Sequence, residues 1–137
     1  MGTLFLYSQM KKIVWIIISV FLLTNCSTSQ EKKAANVGQH YLDAVGNYNF
    51  DEARKYVTES SLPIIDRMED FVDMAPEDEV KKNLPVTVNL QQISLNQDTA
   101  LLIFETKSPL YTHTGSVYLV KNGKKWEVDL PKSFPEK

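Results

Sequence analysis

The sequence predicts an α+β domain, with N-terminal helices packed on a curved, mostly antiparallel sheet of at least four strands. Three observations carry this expectation. From Ala34 to Asn83 apolar residues recur at helical spacing, and beyond Pro85 the period changes to two. Near the end, Asn122-Gly123 separates two alternating runs, which is a strong short-range signal for a hairpin. Helices first and strands afterwards define the α+β class.

In the first helix Ala34, Val37, Tyr41, Leu42 and Val45 share a face, and Gly46 is placed to close it. Asn49 can cap a second helix, with Glu52 three residues on and Ala53, Tyr56 and Val57 facing inward. A third helix follows Ser60-Ser61 and tolerates Pro63 in its first turn. Its stripe is Ile64, Ile65, Met68, Phe71, Val72 and Ala75, and Pro76 ends it. Glu77 to Asn83 predicts one or two further turns. Val86, Val88 and Leu90 then alternate with polar residues, and a bulge at Gln91-Gln92 carries the pattern on to Ile93 and Leu95. Thr99 to Thr106 reads as a central strand. Gly115 to Val120 and Lys125 to Leu130 form the hairpin, with Trp126, Val128 and Leu130 on one face.

The chain has one cysteine, Cys26, so no internal disulfide is possible. Before it, Lys11-Lys12 precedes an apolar run from Ile13 to Leu23, interrupted only by Ser19. A basic start, a short apolar middle and a polar exit make a secretory signal peptide, with Met10 a candidate start. At 1.5 Å per residue this run covers roughly half of a 30 Å hydrocarbon core, too short for a transmembrane helix. The expected organisation is residues 1–25 as signal peptide, 26–33 as lipidated cysteine and polar tether, and 34–137 as one α+β domain. Lys11 and Lys12 are the only charges before Cys26, so 13 of the 15 basic residues face all 17 acidic ones, a formal net of −4. An acidic domain repels phosphate backbones, and no nucleic-acid partner is expected.

Leu23-Thr24-Asn25-Cys26 resembles the lipobox of bacterial lipoproteins, with Asn25 where a smaller residue is usual. The resemblance implies acylation at Cys26 and a membrane partner through the lipid anchor, since several acyl chains hold a protein on a bilayer. Ser27 stands where an Asp would favour inner-membrane retention. The implied address in a two-membrane source is the outer membrane, with the domain facing the periplasm. YLDAVGNYNFDEARKYV (41–57) and VYLVKNGKKWEVDL (117–130) resemble bacterial lipoproteins with a nuclear transport factor 2-like, lumazine-binding-like domain, a cone-shaped α+β fold. The resemblance implies fold rather than activity.

No phosphate-cradling loop, nucleophile elbow or zinc-ligand set is present, so no cofactor, metal site or catalytic residue is expected. His40 and Asp43, at i and i+3, are the weak catalytic alternative, because enzymes of this fold place an Asp-His pair inside the cone. A surface position fits both residues better, since Tyr41, Leu42 and Val45 define the inward face and His40 and Asp43 fall toward its edge. Asp66, Glu69, Asp70, Asp73, Glu77, Asp78 and Glu79 form an acidic run that reads as a solvated face or a docking strip for a basic partner. Lys121, Lys124, Lys125 and Lys132 cluster at the hairpin. Tyr41, Tyr48, Tyr111 and Tyr118 are candidates to line the open end of a cone, although a core needs aromatics too. The expected function is a non-enzymatic envelope module that binds an unidentified protein or small apolar ligand. The alternatives are an isomerase or hydratase, or an immunity or inhibitor-like protein.

Overall fold

The computed structural model describes residues 29–135. Cys26 and the signal segment lie outside the described residues. The chain divides into a unit over residues 1–32 and a larger one over 33–137. Residues 29–33, expected to be tether, are helical; Glu31, Lys32 and Lys33 are good helix formers and lead into Ala34-Ala35. Within the larger unit, α1 runs to residue 46. It is followed by α2 (Phe50–Ala53), 3₁₀ turns over Arg54–Tyr56 and Glu59–Ser61, α3 (Leu62–Asp73) and α4 (Glu77–Lys82). Then come β1 (Thr87–Asn96), β2 (Thr99–Lys107), β3 (Thr112–Asn122), β4 (Lys125–Asp129) and the short α5 (Leu130–Ser133).

The strands form one open sheet in the order β1-β2-β3-β4, every pair antiparallel. Alternation in each strand turns one face toward the helices. Val88, Thr106 and His113 form one cross-strand row on it, and Leu95, Ala100, Leu119 and Val128 another. The register shifts between Leu90 and Gln92, where the expected bulge falls. That shift keeps Ile93 and Leu95 on the same face as Leu90, opposite Leu102 and Ala100. The last hairpin has Gly123-Lys124 as its two-residue loop, because Asn122 still pairs with Lys125. Gly123 carries a φ of 64°, the left-handed start that a type II′ turn requires.

Asn49 caps α2 as expected, its Oδ1 accepting the Glu52 N–H at 3.2 Å. Phe50, missing from the expected inner face, is buried beside Ala53. The stripe of α3 is correct at Ile65, which is fully buried, and fails at Phe71, which is 72% exposed. Helical period gives the direction of a residue but not where its neighbour ends, and the end of α3 runs past the buried cluster.

Three side chains tie the helical layer to strand backbone. Gln39 donates to the Val88 carbonyl at 3.2 Å. Asn47 pairs with Val86 in both directions: its Nδ2 donates to the carbonyl at 3.0 Å and its Oδ1 accepts the N–H at 3.0 Å. Gly46 makes this approach possible, because a Cβ there would stand 3.0 Å from Val86 Cγ1. Ser61, fully buried, accepts the Leu130 N–H at 3.0 Å and donates to the Val128 carbonyl at 3.3 Å. Val57 adds a parallel bridge to Val128, so the segment before α3 covers the outer edge of β4.

Candidate functional site

Between α1 and the inward face of the sheet, packing is incomplete. A cavity of about 240 Å³ remains there. Leu42, Val45 and Gly46 bound it on the helix side, and Val86, Phe104, Thr106, His113 and Val117 on the sheet side. Tyr111 and Phe134 stand at its exposed margin, 48% and 58% accessible, and Met68 of α3 reaches it as well. The Tyr111 loop is shaped by Ser108, whose Oγ accepts both the Leu110 and Tyr111 N–H groups at 3.2 Å.

Tyr41, Tyr48 and Tyr111 all line this cavity. Tyr41 is only 3% exposed, and its hydroxyl has no hydrogen-bond partner among the described residues. Burial pushes its pKa well above the ordinary tyrosine value, because the phenolate would lose its hydration. Tyr48 follows Asn47 at a φ of 60°. A bulky residue in the left-handed region costs roughly 1–3 kcal/mol. Its hydroxyl accepts the Asn83 Nδ2–H at 2.7 Å.

Tyr118 does not line the cavity. It sits one residue out of phase with the buried Val117 and Leu119, so it lies on the opposite sheet face, where Lys132 Nζ stands 5.2 Å from its ring centre. His40 and Asp43 also lie outside the cavity, both exposed. The two do not pair. His40 stacks on Tyr56 at 5.4 Å between ring centres, and Asp43 accepts from Gln39 Nε2 at 3.0 Å. Tyr56 in turn donates to Glu52, which also holds Lys55. The Lys55 ammonium, then the Tyr56 hydroxyl, hold that carboxyl below the usual range. The acidic run of α3 is partly occupied from within, since Arg54 engages Asp66, Glu69 and Asp51. Among the described residues no cluster of three His, Cys, Asp or Glu has the arrangement of a metal site.

His113, Phe104, Thr106 and Met68 line the cavity without having been expected there. For His113 the signal existed. It is four residues before Val117, and strand parity puts both on one face.

No known family profile matches the chain, and no curated protein matches it. Among solved structures, a Campylobacter jejuni protein bearing the name NTF2-like transpeptidase superposes with a TM-score of 0.56. The two share 13% identity over 69% of this chain and 95% of that one. The fold is NTF2-like. At that identity the likeness is one of fold alone. The Bdellovibrio bacteriovorus protein Bd1075 matches at a TM-score of 0.47 and 14% identity, over 69% of this chain and 36% of that one. In this chain the space between helices and sheet is lined mainly by apolar side chains, with a few hydroxyls and the His113 imidazole.

The raised Tyr41 pKa has a definite sign in the pH dependence of stability. The native state keeps this phenol protonated while the unfolded chain ionises near pH 10, so stability is full below that pH and falls above it. Tyr41→Phe should flatten the alkaline decline, measured as urea midpoints from pH 8 to 11. An unchanged decline would show that Tyr41 titrates like an exposed tyrosine.

Proposed function

We propose that this chain is a lipid-anchored bacterial envelope protein whose NTF2-like domain is a non-enzymatic binding module for a small apolar molecule. The cavity is the observation that carries the binding half of this reading. An apolar cavity of about 150 Å³ holds benzene, so 240 Å³ accommodates roughly ten carbon atoms. Among the described residues, none of those lining it is Lys, Arg, Asp or Glu. The isomerase or hydratase alternative needs His40 and Asp43 inside the cavity, and both lie outside it. The inhibitor alternative needs a free acidic face, and Arg54 engages part of that face.

The spacing Leu23-Thr24-Asn25-Cys26 supports the anchor. The outer membrane, with the domain toward the periplasm, is the address we propose from Ser27.

Naphthalene, a ten-carbon probe, should bind saturably with chemical-shift changes at Val117 and Phe104. Thr106→Trp, which fills the cavity from a half-exposed strand position, should weaken that binding at least tenfold. Unsaturable binding, or equal affinity in the variant, would refute the cavity as a site. For the anchor, mass spectrometry of protein extracted from membranes should find acyl mass on an N-terminal Cys26. A free thiol there would refute lipidation.

A further inference from the structure

Three features converge on Tyr48. Its backbone is left-handed at 60°, a conformation that the neighbouring Asn47 or Asn49 would adopt with less strain. Its ring lines the cavity. Its hydroxyl oxygen is held at 2.7 Å by the Nδ2 of Asn83, the residue that follows α4.

Asn83 is itself an unusual partner. It is 9% exposed, and its Oδ1 is the one sealed side-chain oxygen or nitrogen without a hydrogen bond among the described residues. A buried amide normally satisfies both ends. Here one end is left unmet while the other fixes the position of a phenol. A phenol oxygen that accepts an N–H has its own proton left to donate, and no described residue receives it.

We infer that Tyr48 is the polar anchor of the cavity, with Asn83 as its positioning residue, and that the ligand is an uncharged molecule carrying an acceptor oxygen of the ester or amide class. This rests on the cavity being a binding site. The walls select for the class. Apart from tyrosines, His113 is the sole ionisable group among the described residues that line the cavity, and they offer a buried carboxylate no fixed counter-charge. A pure hydrocarbon would leave the Tyr48 proton unmatched in an apolar wall.

The test compares methyl benzoate with propylbenzene, which has nearly the same shape and no oxygen, and with benzoate at neutral pH, by NMR titration. With each affinity corrected for the probe's own transfer from water to hydrocarbon, wild type should favour methyl benzoate over propylbenzene by about three- to tenfold, the usual worth of one neutral hydrogen bond. Benzoate should bind weakest. Tyr48→Phe should erase the ester preference by weakening methyl benzoate binding, while propylbenzene, freed of the unmatched hydroxyl, binds more tightly. Asn83→Leu should reduce the same ratio, and should that variant fail to fold, Tyr48→Phe decides alone. Equal corrected affinities of the two neutral probes for wild type would overturn the inference while leaving the cavity reading intact. A preference that survives Tyr48→Phe but disappears in Tyr41→Phe would also overturn it, since the donor would then belong to α1. Failure of every probe to bind would remove both readings.

Discussion

The two-way pairing of the Asn47 amide with the backbone of Val86 fixes where the helical layer meets the sheet. A side-chain amide copies the donor-acceptor pattern of a neighbouring strand, so the end of α1 is held to the residue just before β1. The contact depends on Gly46, because any side chain there would press on Val86 within van der Waals limits. The consequences run outward from this junction. Leu42 and Val45 are held over the sheet, Tyr48 is forced into a left-handed turn, and the space they enclose becomes the cavity.

The β4 end of the core is closed by different means. Trp126, Val128 and Leu130 are all nearly inaccessible, and the buried Ser61 satisfies backbone groups of both Val128 and Leu130. Removing such a hydroxyl would strand a buried N–H, which costs about 1–3 kcal/mol. Near the cavity, by contrast, the Asn83 that holds the Tyr48 hydroxyl keeps an unpaired, sealed Oδ1 among the described residues. The exposed Tyr111 and Phe134 mark the same margin.

Much of the architecture was legible because two periods describe it. The bulge after Leu90 and the cap at Asn49 follow from local chemistry and are found where that chemistry puts them, while the hairpin loop falls one residue later than Asn122-Gly123, at Gly123-Lys124. Phe71 was misread because periodicity does not encode how far α3 extends beyond its neighbours. Tyr118 and His113 were both decidable by strand parity with Val117, one outward and one inward. The Asn83 contact with Tyr48 was not legible, since it joins residues 35 apart through loops whose path only the fold determines. The same holds for the stacking of His40 on Tyr56, which replaces the local pair with Asp43 that helical spacing suggests.

A double-mutant cycle of Gly46→Ala and Val86→Ala, read as unfolding free energy in urea, tests the junction most directly. If close approach at this point governs the docking of α1, Gly46→Ala destabilises the wild-type background and is nearly harmless once Val86 is shortened. The coupling expected for residues in direct contact is then about 0.5–3 kcal/mol. Two effects that simply add would contradict it, and would mean that the position of α1, and with it the cavity, is set elsewhere.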